Sequence, residues 1–416
     1  MSADIIVLGA GSAGLAAAVT AARTGARVML LERHGYAGGM GTVSLVHTFC
    51  GLYLTGDGPP VLANPGFPAE MADRMLRATG ETGPVRMGRV WVLRQHPVEF
   101  ARIADELLSE SGVEVLFHTE VLSASRESDG WSLEAVCRGQ RKVFHSKALI
   151  DTSGDAVLAG MLGAAAGQAS PANLQRPAYV FGVQGVIDGE EGLALAGRIV
   201  DGLRRGVLSP PTLGLHFRSS GRAGEIFGTI DLSGEEAGDY DPLDAGCLSR
   251  LERTGRAVAS AAVAFLKSEA LGWGQAYVSQ WPVRAGVRES RRWIGRHVLT
   301  EEEVLGGVRH EDDIALATWP LEFRETNRGP KLRYPEGDRA AGIPLGCLQP
   351  EDLDGVFTAG RCLSCDHGAQ ASVRVMGTCF ATGQIAGIAA VLAAGGGSPV
   401  DVAGIRKVAG FELPAG

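Results

Sequence analysis

The chain has no block of like charge: 39 Lys and Arg and 47 Asp and Glu, a formal net charge of −8, are spread along 416 residues. That distribution argues against a nucleic-acid or anionic-membrane partner, both of which reward clustered Lys and Arg. A disulfide framework is missing as well. The seven cysteines (Cys50, Cys137, Cys247, Cys347, Cys362, Cys365 and Cys379) are odd in number and scattered, a pattern that fits a reducing compartment and an expected cytoplasmic location. No Cys/His spacing marks zinc or an iron–sulfur cluster, so no metal is expected. There is no internal repeat and no low-complexity tract. Glycine is abundant instead. Its 59 residues are about twice the usual ~7% share, without the Gly-X-Y period of collagen. Many tight turns and close backbone approaches follow, as around a bound nucleotide. The remaining composition, 45% apolar and 21% charged, is ordinary for globular chains, and the length predicts two to three domains of ~150 residues.

Residues 5–22, IIVLGAGSAGLAAAVTAA, contain no charge, and hydropathy alone would allow a membrane span or signal peptide. Asp4 is the wrong charge for the start of a signal. Gly9, Gly11 and Gly14 break the run where a spanning helix would lose propensity. The stretch from Arg27 to Glu32 then reads as a second buried strand, as a βαβ unit requires. No integral membrane segment is expected.

Read as a βαβ unit, the segment gives each residue a task. Ile5–Leu8 form a strand buried on both faces. Gly9 permits the tight turn, Gly11 lets the backbone approach a pyrophosphate, and Gly14 lets the helix pack closely on the strand. The helix starting at Ser12 and Ala13 offers its amide groups and positive dipole end to the diphosphate, and Gly25 closes it. Glu32 stands 18 residues past Gly14, where a carboxylate can accept from ribose hydroxyls. The same carboxylate would repel a 2′-phosphate, which favours FAD or NAD over NADP. A second glycine-rich loop follows at once: Arg33, then Gly38, Gly39, Met40, Gly41 and Thr42. A single NAD site has no evident need of it, whereas a longer dinucleotide would need a second close approach.

With these features the sequence resembles the FAD-dependent oxidoreductases that have a glutathione-reductase-type FAD fold, in which a GGM or GGxT stretch lies along the flavin. Three further segments carry the resemblance. Ala148 to Asp155 is similar to the family's "IDATGD" stretch, with Thr152, Ser153, Gly154 and Asp155 as its turn. Ser111 to Val121 is similar to the strand whose residue at the position of Val121 bonds the adenine edge. Leu353–His367 and Ser372–Gly387 resemble the "AGR" turn and final helix. The resemblance implies that Gly360 and Arg361 meet the pyrophosphate and ribityl chain. It also implies that Arg374, Val375, Met376 and Thr378 set a helix N-terminus at the pyrimidine end of the flavin, where a positive dipole end stabilises reduced flavin. Gly383 and Gly387 are expected to pack that helix closely under the sheet.

The expected architecture is therefore α/β: a Rossmann-like FAD-binding domain in two parts, residues 1–160 and 346–410, around an inserted α+β substrate domain, residues 161–345. Strands are expected at 178–187, 225–230 and 314–319, and a helix at 250–269. The expected function is hydride transfer from a small organic substrate to flavin, which oxygen, a quinone or another acceptor then reoxidises. No second GxGxxG stands mid-chain for an NAD(P)H domain. An FAD monooxygenase or flavin-dependent reductase is the alternative, and a flavin-free binding protein of the same fold is a third possibility. Candidate catalytic groups are His47, close after the GGM loop, and His367, which matches a histidine often found after the family's AGR turn. Arg288 sits in a segment similar to the family's "RESRRIVG" and could hold a substrate carboxylate or pair with Glu289, Glu301, Glu302 or Glu303. Cys362 and Cys365 have redox-type spacing but fall in the C-terminal turn, so ordinary thiols are expected.

Overall fold

Ile5–Leu8 (β1) is four consecutive buried apolar residues, as a strand covered on both faces must be. The chain turns at Gly9 into helix α1, Ser12–Arg23, which ends at Thr24 and a left-handed Gly25 with φ of 103°. It returns as β2, Val28–Leu31. Residues 5–22 are thus a strand, a turn and a helix, not a continuous span. Strands β3 (Glu114–Leu116), β4 (Ala148–Asp151) and β5 (Val356–Thr358) complete a parallel sheet of order β5-β4-β1-β2-β3. This is the Rossmann-like arrangement. The computed structural model describes residues 1–232, 240–325, 329–396 and 401–412; residues 233–239 and 326–328 of the expected insertion and 397–400 of the returning part lie outside them.

Strands β4 and β5 are neighbours in the sheet yet some two hundred residues apart in sequence, so everything between them is looped out. Part of that stretch builds its own core. Ala178–Gln184, flanked by Glu225–Asp231 and Tyr277–Gln280, forms an antiparallel sheet with His216–Ser219 at its edge. The long helix Ala245–Glu269 packs across it, its start capped by Asp244 accepting from the Cys247 amide at 2.6 Å. This core draws on Leu174 through Ala285. From Leu299 to Leu348, including the strands Asp313–Ala317 and Ala341–Pro344, buried residues join the main core instead. That stretch also holds the short helix α2, Glu301–Gly306.

After β5 the chain forms α3, His367–Val373, and α4, Met376–Ala394. By length and composition α4 could cross a membrane (19 residues, mean hydropathy 1.5), but 83% of its most apolar window is buried inside the protein. Gly383 and Gly387 meet α1, not the sheet. A Cβ built at Gly383 would lie 2.1 Å from the Ala13 carbonyl oxygen, and one at Gly387 would lie 2.5 Å from that of Ala17. The sheet covers a different face of α4, and the small residues are needed where two helix backbones touch.

Candidate active site

Two adjoining cavities lie between the sheet and the looped-out region. The first, with about 1060 Å³ of empty space, runs along the C-terminal ends of β1, β2 and β4. Gly9, Gly11, Ser12, Ala13, Glu32, Arg33, Gly39 and Met40 line it from the N-terminal segment, Val121 from the strand after β3, and Thr152, Ser153 and Gly154 from the turn after β4. Gly360, Arg361, Arg374 and Met376 close it from the other end of the chain. Loops expected to grip one ligand therefore share one wall. The remaining candidates stand behind it. Gly14 is pinned under the turn, where a Cβ would lie 1.8 Å from the Gly9 carbonyl oxygen. Thr42 donates to the Ala37 carbonyl at 2.7 Å and braces the second glycine loop, of which Gly38 and Gly41 are part. The Thr378 hydroxyl is buried with no partner.

The polar groups of this cavity suit a long dinucleotide. Space is open beside Gly11, with nothing within 4 Å of a Cβ built there. No side chain caps α1, and its first turn carries no acid, so its leading amide groups are left for an anion. Both Glu32 oxygens accept backbone amides, from Ala10 at 2.7 Å and His34 at 2.8 Å. The carboxylate is thereby fixed at the cavity edge with lone pairs to spare. Thr152 donates to the Leu8 and Gly9 carbonyls at 2.7 and 2.8 Å, tying the two turns together. Ser153 donates to Asp151 at 2.6 Å.

Cationic charge exceeds anionic charge here. Arg361 does not stand free, as a diphosphate contact alone would require: it pairs with Asp155 at 2.8 Å and donates to the Ser290 hydroxyl at 2.8 Å. Arg33 lies 3.4 Å from the same carboxylate. Although burial opposes its charge, Asp155 is held well below the usual carboxylate range by Arg361, a Ser290 hydrogen bond, Arg284 and Arg33. Arg284, which sequence reasoning missed, lines the cavity with its Nε buried and unpartnered. Burial, then the repulsion of Arg33, push its guanidinium down to about 10. Four guanidinium groups, of Arg33, Arg284, Arg361 and Arg374, against Glu32, Glu120 and Asp155 leave a surplus positive charge where a diphosphate would neutralise it.

The second cavity, of about 1260 Å³, shares Met40, Arg361, Arg374 and Met376 with the first. Its apolar wall includes Val46, Val90, Val92, Val180, Trp319 and Leu332, and Val375 lines this cavity, not the first. His47 lines it too, fully buried and stacked on Phe227 with ring centroids 4.9 Å apart. Burial, reinforced by Arg218, lowers its imidazole to about 3, and its Nε2 has no hydrogen-bond partner. His47 is therefore neutral, with one ring nitrogen unclaimed. His367 is placed differently from expectation. It lines neither cavity; its Nδ1 pairs with Glu289 at 2.9 Å and its ring lies against Phe323. Arg288 does line the second cavity, but its partner is Asp231 at 2.7 Å and not Glu289 or Glu301 to Glu303.

Asp231 also binds Arg324 at 2.6 Å, and Arg324 reaches Glu322 at 2.7 Å. Burial disfavours the Glu322 carboxylate, but Arg324 and Arg374 together hold it down at about 2. Arg374 is half-buried, with its Nε unpartnered, and desolvation lowers it to about 10. Arg218 lines the cavity and has no carboxylate partner among the described residues. A signal for it existed: His216 and Arg218 alternate with the core residue Phe217 on one strand, which puts both on a single face. Cys362 and Cys365 are buried free thiols pushed up to about 12 by burial, with Cys362 donating to the Asp151 carbonyl. Burial thus disfavours the thiolate at both positions.

A parallel sheet with its cavity at the strand carboxyl ends, a glycine turn and a ribose-side acid define a dinucleotide-binding enzyme of the Rossmann-like class. The chain belongs to the FAD dependent oxidoreductase family, whose profile matches residues 4–410. It is an FAD-dependent oxidoreductase, and FAD is its cofactor. No curated protein matches it by sequence. Among solved structures it is similar to BexE, characterised for oxidation during BE-7585A biosynthesis, with a TM-score of 0.50 and 13% identity over 99% of this chain and 66% of that one. It is also similar to the p-nitrophenol 4-monooxygenase PnpA from Pseudomonas putida DLL-E4 (TM-score 0.48, 11% identity, 96% of this chain and 82% of that one). A third is the OxyS anhydrotetracycline hydroxylase from Streptomyces rimosus (TM-score 0.47, 13% identity, 99% of this chain and 65% of that one). At these identities the likeness is one of fold.

Proposed function

We propose that this enzyme oxidises a small organic anion by hydride transfer to FAD, with the dinucleotide in the first cavity, held in the glutathione-reductase manner, and the substrate in the second. The observation that carries the reading is the wall the two cavities share, formed by Met40, Arg361, Arg374 and Met376. FAD, when bound, supplies the two-electron acceptor. The chain supplies the rest. The turn at Gly9–Gly14, the surplus cations Arg33, Arg284 and Arg361, and Glu32 would hold the diphosphate and ribose. The uncapped start of α4, with no acid in its first turn, offers a positive dipole end beside the shared wall.

Charge argues for the substrate class. Arg218, Arg288, Arg324 and Arg374 line the second cavity against Glu322 alone, and Asp231 sits behind Arg288 and Arg324. A carboxylate or similar anion offsets that excess, with Arg218 placed to take it and Arg374, which also donates to the Glu322 carbonyl, beside it, while the valine-rich wall receives an apolar body. Neutral His47 lines the same space, and its unpartnered Nε2 is an acceptor for a substrate O–H or N–H. An anion beside Arg218 removes one of the charges that depress His47, so its basicity rises when substrate is in place.

Anaerobic mixing of the enzyme with amines, hydroxy acids and alcohols, with and without a carboxylate, tests this. Bleaching of the flavin's visible absorption by a carboxylate-bearing member is expected. Arg374→Gln should raise the concentration needed for half-maximal bleaching by about 10- to 100-fold, the loss of a charge-assisted hydrogen bond of ~1.5–3 kcal/mol. Bleaching by NAD(P)H alone, with no response to any candidate substrate, would replace the dehydrogenase reading with the monooxygenase one.

A further inference from the structure

Outside the linings of both cavities, three side chains meet that sequence spacing does not connect. His297 precedes α2, Glu303 is on it, and His310 follows it. The Nε2 of His297 lies 2.9 Å from Glu303 Oε1, and the Nε2 of His310 lies 3.0 Å from the same oxygen. All three donor atoms fall within 4.8 Å of one another. We propose that His297, Glu303 and His310 bind a divalent transition-metal ion, zinc by preference, which clamps α2 and its flanking loops.

Hydrogen bonding alone leaves the arrangement incomplete. Despite its 3.0 Å approach, His310 Nε2 is buried without a hydrogen bond, so one imidazole nitrogen points at an oxygen it does not engage. The His297 and His310 rings stand edge to face with centroids 5.0 Å apart, and the Nε2 of each approaches the same carboxylate oxygen. Metal sites also need outer groups to orient the ligands, and they are in place. Thr300 donates to Glu303 Oε2 through its amide at 2.7 Å and its hydroxyl at 3.0 Å, so Oε1 is turned toward the histidines. Two imidazoles and a carboxylate suit zinc, with Zn–N of about 2.0–2.1 Å and a water in the fourth position. Tetrahedral donors at such lengths sit about 3.3 Å apart, so the ring nitrogens need to move from the oxygen by only a few tenths of an ångström. The side chains keep 18% to 30% of their exposure, enough for an ion to enter from solvent. Glu302, Glu311 and Asp312 add negative charge in the adjoining sequence, while the neighbouring Arg296 and Arg309 are paired with Asp354 and Asp313.

The clamp is structural. Helix α2 has six residues, too few to hold itself by propensity. A Cβ built at Gly368 of α3 would lie 2.0 Å from a Glu301 oxygen, so α2 backs α3, and α3 leads directly to Arg374. Fixing α2 therefore steadies the approach to the shared wall without contributing to electron transfer.

The test uses the FAD-loaded enzyme, dialysed against a chelator and titrated with zinc by calorimetry, and with cobalt(II) followed by its visible ligand-field bands. One equivalent of zinc, intense tetrahedral-type cobalt bands and a zinc-dependent rise in thermal midpoint are expected for the natural chain. His310→Gln should weaken zinc at least tenfold, and His297→Ala combined with His310→Ala should abolish the cobalt bands. Retained flavin absorbance shows that each variant is folded. Absence of zinc uptake in the natural chain would overturn the proposal in favour of a hydrogen-bonded cluster. Equal uptake by the double variant would overturn it in favour of cysteine ligation elsewhere.

Discussion

Arg284 shows how one side chain can be costly before a ligand arrives and useful afterwards. A half-buried guanidinium beside Arg33 and Arg361, with its Nε buried and unpartnered, disfavours the apoprotein. Beside a diphosphate the same charge is neutralised. Arg284→Met should therefore raise the thermal midpoint of the FAD-free protein and weaken FAD about 10- to 100-fold, from the ~1.5–3 kcal/mol of a charged hydrogen bond. Flavin fluorescence quenching and thermal unfolding of the two forms check the opposed signs. His47 makes a pH prediction. Its folded-state value of about 3 lies below the ordinary 6.5, so the unfolded chain binds the proton more readily. His47 leaves stability unchanged above pH 6.5 and reduces it progressively as pH falls toward 3. The slope is at most about 1.4 kcal/mol per pH unit. In His47→Phe that share of the acid loss should disappear, as denaturant midpoints at pH 7 and pH 5 would show; an unchanged difference would mean that His47 is solvated.

The start of helix α4 was legible in the sequence, because the segment resembling the family's final helix sets an N-terminus at Arg374 to Thr378 and the helix begins at Met376. Its partner was not. Spacing places Gly383 and Gly387 on one helical face but does not say whether a sheet or a helix meets that face. The contact with Ala13 and Ala17 of α1 explains both the Gly-x-x-x-Gly spacing of α4 and the alanines of α1, since only small residues let two backbones come so close. Gly383→Ala places a methyl group where no atom fits, so a loss of about 1–3 kcal/mol is expected from overpacking. FAD retention should fall with it, because α1 begins at the pyrophosphate turn and α4 begins at the shared wall. Calorimetric midpoints and the flavin-to-protein absorbance ratio would check both. A stable variant that had lost its flavin would instead mean that the helix pair aligns the cofactor loops without carrying much of the fold.

Across the whole molecule, the first glycine turn of the cradle could be read because it is local, whereas Val121, Thr152 to Gly154 and Gly360–Arg361, which line the same cavity from distant segments, were legible only through a family resemblance. Gly9, Gly11, Gly14 and Glu32 lie in one stretch of chain, and their spacing is their geometry. The second cavity could not be read, since Arg218, Glu322 and Arg374 come together only through tertiary structure, and Arg288 finds Asp231 across 57 residues. Closeness in sequence also misled: His367 follows the Arg361 turn by six residues, yet α3 carries it to Glu289. The same contrast predicts how the protein responds to FAD. Binding stabilises only conformations with the cradle closed, by about 2.7 kcal/mol at a hundred times the dissociation constant. Amides that exchange by local opening of the cradle should gain that protection, whereas amides requiring global unfolding gain only as total stability rises. Hydrogen exchange of the apo and FAD-bound forms should therefore show early, large slowing at residues 9–14, 36–46 and 374–378. The core around Leu174–Ala285 has its own apolar packing and touches the shared wall only through a few residues such as Gly286, where a Cβ would approach Met40. It should slow later and less. Equal, simultaneous protection of that core would mean that the two cores open as one unit, and that the cofactor holds the whole chain together rather than its two ends.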